Sequence, residues 1–103
     1  MSIGYAHEKL LVAVQSLATG TGRINERLRG AVLSFITLKP DDFPEGELRR
    51  KFMGVVDDLT FQQAKGNEGN IAATLGITSE EDASAIARRI FELYGDVRDL
   101  DRT

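Results

Sequence analysis

The sequence contains no cysteine and only one histidine, His7. The absence of cysteine excludes disulfides, thiolate metal sites and thiol nucleophiles, and it is compatible with a reducing compartment such as the cytoplasm. A single histidine cannot supply a pair of histidine ligands, and the chain has no Glu-x-x-His motif of the kind found in di-metal helical bundles. We therefore expect no metal site and no cofactor.

The chain also lacks a strong excess of one charge and a long apolar run. Its 16 acidic and 13 basic side chains give a net charge of −3, so its overall field does not attract a polyanion, and we do not expect nucleic acid as a partner. The mostly apolar residues 10–18 fall short of the roughly 20 needed to cross a bilayer, and the residues before them lack the basic region of a signal peptide. We expect a cytoplasmic protein with no membrane segment.

What is present is the composition of an ordinary globular protein, with 42% hydrophobic and 28% charged residues. A chain of 103 residues is long enough for one core and too short for two. We therefore predict a single domain over 1–103.

Apolar residues recur at helical spacing in three segments of the first 60 residues. The first predicted helix ends at the glycine-containing corner 19–22. The second stops before Pro40, because a residue that precedes proline is disfavoured in helical geometry. The third has Pro44 in its first turn and Asp42 or Phe43 as its cap.

The rest of the chain is less regular. Glycines interrupt the pattern over 62–78 and leave room for one short helix capped by Asn70. Thr78 and Glu81 have the spacing of a capping box that starts a last long helix, and 98–103 is expected to fray. No stretch alternates with a period of two, so we predict an all-α compact bundle of four main helices with a short extra helix in the 62–78 connection. The core should include Leu28, Phe35, Phe52, Leu59, Ile86 and Ile90.

The corner "TGTGR" has the glycines and threonines of a phosphate-binding loop but not its pattern. Gly20 and Gly22 follow a helix, and both the third glycine and the lysine of nucleotide-binding loops are missing. We interpret Gly20 as a left-handed cap and Thr21 as the cap of the next helix. Arg23 and Arg27 lie beside that helix N-terminus, where an anion could bind.

Three further groups of residues could suggest a functional site, and each has an ordinary explanation. The "GNEGN" loop at 66–70 could bind an anion through its amides or serve only as a connector. The basic groups, including Arg23, Arg27 and Arg29, alternate with acids and lack interleaved aromatics, which is typical of solvated ion-pair faces. Adjacent carboxylates at 41–42, 57–58 and 80–82 are explained by turns, solvent exposure and helix starts. We predict no catalytic activity.

The least ordinary feature is a pair of glycines within helices. Gly30 and Gly54 fall off the apolar stripes of their helices, where alanine would be more stable by about 1 kcal/mol. Val12 and Met53 are apolar and also fall off the stripes, as Leu33 and Phe91 do. Glycines and single exposed hydrophobic residues are tolerated in many proteins, but close approach by another backbone would explain both observations.

We therefore predict a small non-catalytic helical protein that acts through protein–protein contacts, as a homodimer or an accessory subunit. The candidate binding residues are Gly30, Gly54, Val12, Met53, Arg23 and Arg27. The alternative is a binding module for a small ligand, an anion or nucleic acid that uses the arginines at 23–29 or the 66–70 loop.

Overall fold

The computed structural model describes residues 3–62 and 69–102 of the chain. These residues form five α-helices and no strand: α1 (Ile3–Thr19), α2 (Ile24–Phe35), α3 (Glu47–Thr60), α4 (Asn70–Ile77) and α5 (Glu80–Asp101). One turn of 3-10 helix, Pro40–Asp42, lies between α2 and α3. The predicted all-α fold is confirmed, including the short extra helix in the 62–78 connection. None of the described helices is long and apolar enough to span a membrane.

Two sets of helix contacts determine the architecture. The helix α1 packs against α2 and α5, while α3 packs against α4 and α5. The short helix α4 also touches α2. In the described part of the chain α2 and α3 make little direct contact with each other, so a gap separates them.

One continuous core joins these helices. The six core residues predicted from periodicity are all buried: Leu28, Phe35, Phe52, Leu59, Ile86 and Ile90. Phe43, which the sequence pattern suggested as a helix cap, is only 1% exposed and stacks on Phe52 with ring centroids 4.5 Å apart. A turn residue thus contributes one of the largest buried side chains.

The predicted start of α3 is wrong. Pro44 precedes the helix, which begins at Glu47 after Gly46, and neither Asp42 nor Phe43 caps it. Gly46 has a φ of 115°, a conformation that costs a side-chain-bearing residue energy, so the glycine lets the chain change direction there. Asp42 closes the preceding 3-10 turn by accepting a hydrogen bond of 2.8 Å from the backbone amide of Lys39.

The glycine corner before α2 also differs from the prediction. Gly22, with a φ of 93°, is the left-handed residue there, and Gly20 is not. Arg23 occupies the cap position of α2 without a side-chain capping bond, so Thr21 is not the cap. At α4 the cap position belongs to Gly69, and Asn70 is the first helical residue.

The last helix begins one residue later and ends later than predicted. Its cap is Ser79, whose hydroxyl accepts a hydrogen bond of 3.0 Å from the amide of Asp82. Thr78 instead donates to the Thr74 carbonyl at 2.6 Å. The segment 98–103, which was expected to fray, is helical as far as Asp101, whose carboxylate is hydrogen-bonded to His7 Nδ1 at 2.8 Å.

Candidate interaction groove

The gap between α2 and α3 is an open groove with a volume of about 680 Å³. Buried core side chains form its floor, and the first turn of α4 also lines it. Leu33 of α2 and Ile36, the residue that caps the C-terminal end of α2, line one wall, while Met53 and Val56 of α3 line the other. We call this feature the α2–α3 groove.

The groove arises because both helices carry an apolar surface wider than the core covers. Arg29 and Leu33 of α2 and its C-cap residue Ile36, whose backbone is still helical, are spaced by four and three residues, which places them on one face beside the buried stripe. Met53, Val56 and Asp57, spaced by three and four residues, likewise lie on one face of α3 beside its buried stripe. Each helix thus presents a second apolar face to the gap.

Several of these side chains are much more exposed than core residues. The exposed fractions are 68% for Leu33, 55% for Ile36 and 46% for Met53. Exposed hydrophobic residues that occur singly need no explanation, whereas these three side chains lie around one groove. The clustering that the sequence alone could not establish is present here.

Among the described residues that line the groove, one carries a positive and one a negative charge. Arg29 lies on the α2 side and Asp57 on the α3 side. Neither forms a salt bridge or a side-chain hydrogen bond with another residue in the described part of the chain. The groove therefore combines apolar walls with two opposite charges that have no partner within the described chain.

Several charged residues on other faces are paired. Lys51 Nζ lies 3.0 Å from Asp96 and 3.3 Å from Glu47, and these hydrogen bonds, first that to Asp96, raise the pKa of Lys51. Asp58 and Arg89 also form an ion pair. This pair lines a smaller hollow of about 340 Å³ between α3, α4 and α5.

The candidate residues from the sequence do not share one surface. Met53 lines the α2–α3 groove. Gly30 is exposed on α2 between Arg29 and Leu33, and a methyl group added to it would meet no atom within 4 Å. Val12 is 43% exposed on α1, which does not line the groove.

Gly54 has an explanation within the chain. A methyl group at this position would lie 3.2 Å from Nη2 of Arg89, the side chain that pairs with Asp58. The Arg89 side chain of α5 thus lies against Gly54, so the approach of another backbone that the sequence suggested is not required at this glycine. A second chain is not needed to account for it.

The two candidate arginines are both bonded within the chain. Nε of Arg23 donates to Glu80 at 3.0 Å on the surface. Arg27 donates to the carbonyls of Gly22 at 3.2 Å and Leu17 at 3.0 Å, so it joins the end of α1 to the start of α2. The interpretation of Arg27 as part of a merely solvated face is wrong, and Arg29 lies about 160° around the helix from it.

Other sequence candidates add no further site. Residues 66–68 of the 66–70 loop lie outside the described residues, and Gly69 and Asn70 form the start of α4. Among residues 3–62 and 69–102, no three histidine or carboxylate side chains converge as metal ligands.

Asp57 and Ile36 were not among the predicted binding residues, and Arg29 was named only for the alternative of a ligand, anion or nucleic-acid site. Helical spacing from Leu33 and Met53 would have found all three. Comparison with protein-family models, curated protein sequences and solved structures found no match. The function therefore has to be argued from the geometry of the chain itself.

Proposed function

We propose that this chain is a non-catalytic interaction protein whose α2–α3 groove binds the apolar face of a helix from a protein partner. The observation that carries the proposal is the set of exposed apolar side chains, Leu33, Ile36 and Met53, around a groove whose floor is the core. Covering what remains exposed of these three side chains would contribute about 3–5 kcal/mol.

A helix is the occupant whose chemistry fits these walls. Amphipathic helices bind between two helices by placing apolar residues spaced by three and four positions into the groove. Such a partner would carry an acidic residue opposite Arg29 and a basic residue opposite Asp57. A polyanion fits less well, because among the described lining residues the one cation, Arg29, is offset by one anion, Asp57.

Site-specific crosslinking tests this proposal, because the chain has no cysteine and each variant then has a single thiol. In the Ile36→Cys variant, a thiol-reactive photo-crosslinker attached to the new thiol lies on the groove wall. Phe91→Cys places it at an equally exposed position on α5 that does not line the groove. In an extract of the native host, we expect protein adducts from the groove position and none above background from the control.

Two further results are required for the proposal to hold. Mapping the adduct should place the partner's crosslinked residue in a helix with an apolar stripe. Adding Leu33→Asp to the Ile36→Cys variant should abolish the adduct while the far-UV circular dichroism spectrum is kept. Equal labelling from both positions, or none from the groove, would refute the proposal.

A further inference from the structure

We infer that the helix bound in the α2–α3 groove is α2 of a second copy of this chain, in a two-fold dimer in which Arg29 of each copy pairs with Asp57 of the other. This inference rests on the proposed function and identifies its partner. It is based on the exposed apolar side chains of the groove and on the charges of Arg29 and Asp57.

The groove is self-complementary in charge. In a two-fold interface, if residue i of one copy contacts residue j of the other, then j also contacts i. Arg29 and Asp57 lie on opposite walls, and neither has a partner in the described part of the chain. One symmetric contact would therefore pair all four charges, whereas an unrelated helix would need a matching acid and base at the right positions.

The helix α2 itself has the features required of the occupant. Leu33 and Ile36 form an exposed apolar stripe, and Arg29 on the same face supplies the base that would lie opposite Asp57. Arg29, Leu33 and Ile36 thus line the groove of their own copy and also form the face that would bind in the groove of the second copy.

Gly30 provides a second observation. It is exposed one residue after Arg29 and one turn before Leu33, and space is open around its missing side chain. Unlike Gly54, it has no neighbour in the described chain that explains a glycine. Absence of a side chain at this position would let the α2 helices of two copies cross closely.

The chain offers no better occupant of its own beside the groove. Residues 63–68, which connect α3 to α4, read Gln-Ala-Lys-Gly-Asn-Glu and include one apolar side chain, Ala64. They cannot supply an apolar stripe. A standard interface would cover about 800 Å² of each copy, roughly an eighth of its 6279 Å² surface, so the groove and its rims would form the centre of the contact.

The test is a charge-exchange experiment read by mass in solution. Light scattering and sedimentation across a dilution series should show the wild-type chain passing from 11.3 kDa to twice that mass. Arg29→Glu places two like-charge contacts in the dimer, and Asp57→Arg does the same with the opposite sign. We expect each variant alone to self-associate about tenfold or more weakly than the wild type.

Mixing the two variants is the decisive step. In the mixed dimer the new glutamate of one chain faces the new arginine of the other, and the unchanged Asp57 faces the unchanged Arg29. We expect the dissociation constant of the mixture to return to within about threefold of the wild-type value. Such recovery would also show that both variants are folded, because an unfolded chain could not restore association. Arg88→Glu makes the same charge change on α5 outside the groove, so it should neither weaken self-association nor rescue Asp57→Arg.

Three results would overturn the inference: a wild-type chain that stays monomeric, a dimer unaffected by either substitution, or two weakened variants that do not recover when mixed. The Ile36→Cys crosslink separates this failure from failure of the proposed function. Adducts to another protein from the groove position would keep the proposed function and exclude the second copy. No adduct of any kind would refute both.

Discussion

Replacing Gly54 with alanine tests whether this glycine is retained to accommodate Arg89. Alanine within a helix is favoured over glycine by about 1 kcal/mol. The added methyl group would lie 3.2 Å from the Arg89 guanidinium, which would have to move and would weaken its partly exposed pair with Asp58, worth up to about 1 kcal/mol. The two effects nearly cancel, so we expect Gly54→Ala to change the free energy of unfolding by less than about 0.5 kcal/mol.

A double-mutant cycle isolates the contact between the two residues. In an Arg89→Ala background the methyl group meets no guanidinium, and Gly54→Ala should stabilise by about 1 kcal/mol. Urea denaturation of the four proteins gives the coupling energy, and Arg29→Glu can be added to all of them so that association does not contribute. Equal stabilisation by Gly54→Ala in both backgrounds would refute the assignment of Gly54 to Arg89.

Four further predictions follow from the contacts described above. Phe43→Ala should lower the free energy of unfolding by about 3–5 kcal/mol, and Phe43→Leu by clearly less because most of the volume is kept. Ser79→Ala should cost about 1 kcal/mol in the same urea assay through loss of the α5 cap. Arg27→Ala should cost about 1–3 kcal/mol because two carbonyls lose their donor, whereas Arg23→Ala, which breaks an exposed ion pair, should change stability by less than about 1 kcal/mol. Gly30→Ala should raise the dissociation constant of self-association in light scattering without loss of the helical spectrum, and an unchanged constant would show that nothing packs against this glycine.

Helical periodicity was sufficient to predict the fold class and the main core. A buried stripe repeats every three or four residues whatever its partner is, so Leu28, Phe52 and Ile90 could be assigned to the core before any contact was known. Helix ends were predicted less well. Neighbouring residues such as Thr78 and Ser79 offer similar capping groups, and the choice between them depends on where the preceding helix leaves the chain.

Phe43 shows a different limit of prediction from the sequence. It lies between two prolines in a segment with turn chemistry, and no periodicity connects it with a buried face. Its burial against Phe52 depends on the 3-10 turn at Pro40–Asp42, which directs the segment back over α3. A core residue in an irregular segment has no signal of its own in the sequence.

The sequence by itself determined that the chain is helical, which faces of its helices are buried, and that its chemistry is poor in catalytic groups. Only the tertiary structure distinguished Gly30 from Gly54, because both lie off the buried stripe and only one of them faces α5. It also decided that Leu33, Ile36 and Met53 surround one groove, because α2 and α3 are held apart while both contact α4 and α5. Periodicity specifies the direction of each side chain around its own helix axis, but the spacing between two axes depends on every element packed against them.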